Sequence, residues 1–197
     1  MAVEIEVKFL NVDHDEIRQK LAAIGATLKI PMRLMRRQLF DFPDGRLQTA
    51  NRGRLRVRDE GSKITLTYKS GSDKEYSQEQ ETIVGSYEST VEILEAIGLQ
   101  AFTTQQTKRE AWQLGDVEIV LDIWPWLNPY IEIEGSTETS IEQVAAKLGL
   151  EWEDGVFGSA DTAYRAQYPK MTTHDSIGAI ANLTFDGPMP KWLSERL

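Results

Sequence analysis

Glu-x-Glu occurs three times in segments that read as β-strands: Glu4-Ile5-Glu6, Glu79-Gln80-Glu81 and Glu132-Ile133-Glu134. Successive strand side chains point to opposite faces, so both carboxylates of each motif share one face. Glutamate is disfavoured in strands, and adjacent carboxylates repel unless a cation sits between them. The cationic segments behave in the same way. Arg54, Arg56 and Arg58 line one face opposite Leu55 and Val57, and Thr65, Thr67 and Lys69 lie opposite Ile64, Leu66 and Tyr68. Arg109 lies opposite Trp112 and Leu114, and Glu118 and Asp122 opposite Ile119 and Leu121. An ordinary half-solvated sheet accounts for any one of these strands. The recurrence of same-sign rows points elsewhere, to a sheet whose charged face serves a ligand. Paired carboxylates suit a hard divalent cation, Mg²⁺ or Mn²⁺, and rows of Arg and Lys suit a polyanion. A closed antiparallel barrel with its charged face inward brings both together.

The rest of the chain supplies helices to cover the apolar faces. Residues 13–26 read as a helix capped by Asp13, with Ile17, Leu21 and Ile24 as its stripe and Gly25 as its stop. Residues 86–97 and 140–148 read as two more, closed by Gly98 and Gly149. Strands are expected over 4–10, 36–41, 54–58, 64–69, 76–84, 107–114, 117–123 and 130–134. The expected class is therefore α+β: an eight-stranded antiparallel tunnel with a charged interior and helices outside. Leu21-Ala22-Ala23-Ile24-Gly25, Leu94-Glu95-Ala96-Ile97-Gly98 and Ala145-Ala146-Lys147-Leu148-Gly149 echo one another. Duplication of a β-α unit and convergence of helix ends both account for that echo. Nothing linker-like divides residues 1–170, which form one expected domain, and 171–197 reads as an appendage rather than a second domain. Ala160, Ala163, Tyr164 and Tyr168 share a face at helical spacing, predicting a helix over 161–168 at one tunnel mouth.

Composition narrows the classes of function. The chain has no cysteine, which removes disulfides, thiolate nucleophiles and Cys-ligated metals. His14 and His174 are the only histidines, too isolated for a His-metal site, and both read as solvated. With 31 acidic against 22 basic residues the net charge is −9, the wrong sign for broad nucleic-acid binding. No apolar run reaches ~20 residues, and the opening Met-Ala-Val-Glu-Ile-Glu is no signal peptide, so neither a membrane nor export is expected. A cytoplasmic setting follows as the expectation. Oligomeric state is not legible.

Taken in order, the motifs resemble those of the CYTH superfamily, the triphosphate tunnel metalloenzymes. Glu4-Ile5-Glu6-Val7-Lys8 is similar to its N-terminal ExExK signature. Leu39-Phe40-Asp41-Phe42-Pro43-Asp44-Gly45-Arg46-Leu47 resembles its Y-F-D-T-P-D-G-x-L hairpin, Leu55-Arg56-Val57-Arg58 its L-R-x-R strand and Leu66-Thr67-Tyr68-Lys69 its L-T-x-K strand. Glu79-Gln80-Glu81, Lys108-Arg109-Glu110, Leu121-Asp122 and Tyr130-Ile131-Glu132-Ile133-Glu134 follow as the central acidic pair, the basic strand and the closing acidic strands. The resemblance implies metal ligation by Glu4, Glu6, Glu79, Glu81, Asp122, Glu132 and Glu134, and phosphate binding by Lys8, Arg56, Arg58, Lys69 and Arg109. It makes Lys8, Glu6 and Arg109 the catalytic candidates.

The implied activity is Mg²⁺- or Mn²⁺-dependent cleavage of a small-molecule triphosphate: inorganic triphosphate, thiamine triphosphate or a nucleoside triphosphate. The alternatives are a class IV adenylate cyclase making cyclic AMP and pyrophosphate from ATP, and a non-catalytic tunnel that binds polyphosphate or nucleotide. Three departures bear on substrate identity. The family often carries an acidic or amide residue near Arg37 and a basic residue where Ser77-Gln78 stand, and its L-G segment is replaced here by Trp124-Pro125-Trp126-Leu127-Asn128-Pro129. The double variant Glu4→Gln/Glu6→Gln is expected to keep its circular dichroism spectrum while losing phosphate release, because only the carboxylate charge is removed.

Overall fold

The computed structural model describes residues 5–51, 53–70 and 78–197. The elements run β1 (Ile5–Leu10), α1 (His14–Ala23), β2 (Thr27–Asp41), α2 (Arg46–Asn51), β3 (Arg54–Asp59), β4 (Ile64–Ser70), β5 (Gln78–Val84), α3 (Tyr87–Ala96), β6 (Gln100–Leu114), β7 (Val117–Ile123), β8 (Tyr130–Gly135), α4 (Glu138–Lys147), α5 (Ala160–Gln167), β9 (Asn182–Leu183) and α6 (Lys191–Ser194). The sheet order is β1-β8-β7-β6-β2-β3-β4-β5, with β9 joining β6. The expected antiparallel sheet with accompanying helices is present. As hydrogen-bonded among the described residues, this order has two ends, β1 and β5, rather than forming a ring. No helix among the described residues is long and apolar enough to cross a membrane.

The chain divides into two compact units. The first comprises residues 1–33, 107–177 and 189–197. Its strands β1, β8, β7 and the second half of β6 pair antiparallel, matching Val7 with Ile133, Phe9 with Ile131, Ile119 with Ile133 and Leu121 with Ile131. These side chains share one face. Ile17 and Leu21 of α1, and Ile141, Val144, Ala145 and Leu148 near α4, pack on that face to complete the core. Each such side chain contributes about 1.5–3 kcal/mol on burial, so the alternation in β1, β7 and β8 is enforced by this face. The second unit comprises residues 34–106 and 178–188. There Phe40, Val57 and Leu99 pack with Tyr87 and Leu94 of α3.

Local chemistry sets the helix ends. Asp13 accepts hydrogen bonds from the Asp15 and Glu16 amides, Ser86 from Ser89 and Thr137 from Ser140. Thr137 starts α4 two residues earlier than the alternation signal alone indicates. Gly25, Gly98 and Gly149 all have positive φ, and the amides of Ala26, Leu99 and Leu150 reach back to Leu21, Leu94 and Ala145. α1 and α3 each have ten residues, and each leads through a three-residue link (Ile24 to Ala26, Ile97 to Leu99) into a fifteen-residue strand. They match as β-α units. α4 leads into a 3₁₀ turn instead.

β2 and β6 are longer than their sequence signals, because residues 27–35 and 100–106 do not alternate charge with apolarity. α2, β9 and α6 carried no legible periodicity. The helix expected over 161–168 forms as α5. The Tyr164 hydroxyl donates to the Pro125 carbonyl at 2.5 Å and that of Tyr168 to the Trp126 carbonyl, while Trp124 meets Tyr164 edge to face. The tryptophan-bearing insertion is thus tied down by α5.

His14 departs from expectation. It is buried, and its Nε2–H donates to the Tyr130 carbonyl at 3.0 Å, while Nδ1 is buried without a partner. Burial, reinforced by Arg18, pushes its pKa below the ordinary 6.5. The unfolded state then binds a proton that the folded state refuses as pH falls through 6.5, so stability drops on acidification. Urea titrations at pH 7.5, 6.5 and 5.5 are expected to show this loss, and to show a smaller one in His14→Gln.

Candidate functional site

In the first unit, the face opposite the core carries a row of ionised side chains whose partners are set by strand register. Glu6 stands opposite Glu134, which stands opposite Glu118, Lys8 opposite Glu132, and Arg109 opposite Asp122. Lys8 is almost fully buried. Its ammonium pairs with Glu6 and with Glu132 at 3.3 Å, and donates to the Gly158 carbonyl at 2.7 Å. Arg109 grips Asp122 through Nε at 2.8 Å and Nη2 at 2.5 Å, and reaches Glu132 at 2.8 Å.

Asp122 is fully buried, and an unpaired charge there would be untenable. Burial opposes the Arg109 charge, yet Asp122 and Glu132 hold its pKa well above the usual arginine value. For Glu132, burial and then repulsion from Asp122 outweigh the two cations, and its pKa is pushed up to about 7. Sequence reading passed over Tyr130. Its side chain is fully buried with no hydrogen-bond partner for its hydroxyl, and burial raises its pKa.

In the second unit the balance is reversed. Arg58 stands opposite Arg37, and Arg54, Arg56 and Arg58 stand opposite Lys69, Thr67 and Thr65. Thr67 and Lys69 in turn face Glu81 and Glu79. Arg37, Leu39, Arg54, Arg56, Thr67, Lys69 and Glu79 line a cavity of about 220 Å³. Its lining therefore carries four cations and one carboxylate.

The ion pairs here are looser than in the first unit. Arg56 lies 3.8 Å from Glu81, and Lys69 lies 3.6 Å from Glu79. Arg58 is the exception, at 2.5 Å from the buried Glu60. The Nε atoms of Arg56 and Arg58 are buried without partners. Burial and then repulsion from Arg58 lower the Arg56 pKa to about 10. Arg37 and Arg54 belong to the cavity but were not among the expected phosphate ligands. Arg54 shares the parity of Arg56 and was legible, whereas Arg37 arrives through the β2–β3 register, which a single sequence does not display.

Glu6, Lys8, Arg109, Asp122, Glu132 and Glu134 gather in the first unit, and Arg56, Arg58, Lys69, Glu79 and Glu81 in the second. Glu4 lies outside the described residues. Lys8 and Arg109 are engaged by carboxylates, and Glu79 and Glu81 by cations. Among the described residues no three acidic or histidine side chains gather closely enough to hold an ion. Glu6, Glu134 and Glu118 stand opposite one another across three adjacent strands, an all-oxygen set of the kind a hard divalent cation takes, with Glu6 already paired with Lys8.

An antiparallel sheet with a charged face defines a class of fold shared with several solved structures. The PH1012 protein of Pyrococcus horikoshii is 27% identical, with a TM-score of 0.61 over 78% of this chain and 94% of its own. A candidate adenylate cyclase of Vibrio parahaemolyticus is 18% identical, with a TM-score of 0.67 over 79% and 94%. A candidate adenylyl cyclase of Hippeastrum, described as having a dominant triphosphatase activity, is 16% identical, with a TM-score of 0.57 over 87% and 98%. The CYTH domain family model matches residues 2–159, and the chain belongs to that family. A search of curated proteins found no match.

The two charged clusters are expected to respond oppositely to mutation. Asp122→Ala leaves Arg109 buried beside a half-neutralised site and is expected to lower unfolding free energy by about 3–5 kcal/mol. Arg56→Gln relieves cation repulsion and is expected to leave stability unchanged or slightly higher. Urea denaturation of the two variants beside the parent checks both signs.

Proposed function

We propose that this chain is a divalent-metal-dependent phosphohydrolase that cleaves a triphosphate. The observation that carries this reading is the cationic cavity of the second unit, where an acidic chain concentrates Arg37, Arg54, Arg56 and Lys69 around one small space. Arg56, held there at a cost to its own solvation, is most simply explained by an anionic ligand that completes it.

Guanidinium groups meet phosphate oxygens bidentately, so Arg54 and Arg56 orient the phosphate chain while Lys69 supplies a point charge. Glu6 and Glu134, with Glu4 from the same motif and Glu118 from the neighbouring strand, are the residues that would hold Mg²⁺ or Mn²⁺. When bound, such an ion neutralises phosphate charge and promotes attack by water. Lys8 and Arg109 keep the buried carboxylates of Glu132 and Asp122 in place. In the balanced reaction, water adds to the terminal phosphorus, the anhydride P–O bond breaks, and diphosphate and orthophosphate leave.

The test is purified protein with Mg²⁺ or Mn²⁺ against tripolyphosphate, thiamine triphosphate and ATP, with products separated. Orthophosphate release that EDTA abolishes is the expected outcome. Cyclic AMP with pyrophosphate would identify a cyclase, and binding without turnover a non-catalytic tunnel.

A further inference from the structure

The cationic cavity has a support that lies partly outside the family match. Arg37, on the cavity wall, donates from Nε to Oε1 of Gln105 at 2.8 Å. Gln105 donates from Nε2 to the Thr103 hydroxyl at 3.4 Å, and that hydroxyl donates to the Ile180 carbonyl at 2.6 Å. Gln105 and Thr103 are 3% and 1% exposed, so water does not substitute for either partner. Gln105 and Thr103 each accept from the group before and donate to the group after. The amide orientation of Gln105 is thereby determined, since a flipped amide would present N–H groups to Arg37.

The end of the series is held by the backbone. β9 pairs in parallel with β6, setting Thr104 beside Asn182 and Gln105 beside Leu183, and the Thr104 amide donates to Ala181 at 2.8 Å. Residues 178–188 belong to the same compact unit as the cavity, and the family match ends at residue 159.

We propose that Gln105 and Thr103 are positioning residues for the anion cavity, aiming Arg37 at the ligand, and that the segment around Ile180 is the anchor that holds them. Arg37 contributes a guanidinium to the cavity lining, and its Nε is committed to Gln105, which restricts the orientations the side chain can take. Preorganising a rotamer-rich arginine in this way reduces the entropy lost when a phosphate binds. This rests on the reading of the cavity as a phosphate site.

The experiment is calorimetric titration of the full chain with tripolyphosphate in EDTA, which reads binding without turnover, with a melting curve for each variant. Arg56→Ala is expected to weaken binding at least tenfold, Gln105→Leu about five- to tenfold, and Thr103→Val by a smaller factor, with Thr103→Ser restoring the parent Kd. With Mg²⁺, Gln105→Leu is expected to raise KM and leave kcat nearly unchanged. If Gln105 acts through Arg37, Arg37→Ala/Gln105→Leu binds no more weakly than Arg37→Ala alone. Gln105→Met replaces Gln105→Leu in the same cycle if the latter lowers the yield of folded protein.

Additive effects in the double variant, or a parent Kd in Gln105→Leu while Arg56→Ala is weakened, would overturn this proposal alone. A parent Kd in Arg56→Ala would remove the phosphate site and the proposal together.

Discussion

Lys8, Glu132, Arg109 and Asp122 form a buried ionic network in which each cation is matched to the carboxylate opposite it on the neighbouring strand. The first unit depends on that match. A one-residue slip of β1 or β8 would turn the charges into the face occupied by Val7, Phe9, Ile131 and Ile133, and would bring those apolar side chains out. Charge pairing on one face and close packing on the other therefore specify the same register. Removing one partner of such a network leaves an uncompensated buried charge, which makes the arrangement all-or-none.

The second unit uses the same strand geometry to a different end. Its charged face has more cation than carboxylate, and the salt bridges of Arg56 and Lys69 are long. Arg56 sits beside Arg58 with its Nε unpartnered, while its Nη2 donates to the Thr67 hydroxyl at 3.3 Å and makes the long pair with Glu81. Contrast between the two units separates charges held in close ion pairs from charges held in long ones. A count of Lys and Arg on strands cannot make that distinction.

Loops and the C-terminal residues carry more of the architecture than their composition indicates. Tyr164 and Tyr168 on α5 fasten the segment around Pro125 and Trp126 through its carbonyls, and Trp124 is buried edge to face against Tyr164. Asp41 accepts from the amides of Phe42, Leu47 and Gln48, which organises the turn and the start of α2 after β2. The stretch before β9 covers an edge of β6 beyond the residues paired with β7.

What the sequence determined was everything that depends on period and on local chemistry. Alternation in 4–10, 54–58, 117–123 and 130–134 specified the strands and their two faces, because burial on one face acts on every second residue. Asp13 and Ser86, and the glycines at 25, 98 and 149, specified helix ends, because capping is satisfied within a few residues. The motif order from Glu4 to Glu134 indicated the family. Tertiary structure alone decided which charges meet. Lys8 and Arg109 carried the same signal as Arg56, yet register gives them close carboxylate partners and sets Arg56 between Leu39 and Thr67. His14 and Tyr130 were buried by elements far away in the chain, and Arg37 reached the cavity through pairing with β3. Coulomb and desolvation energies depend on distances between strands that are remote in sequence, and no local pattern encodes those distances.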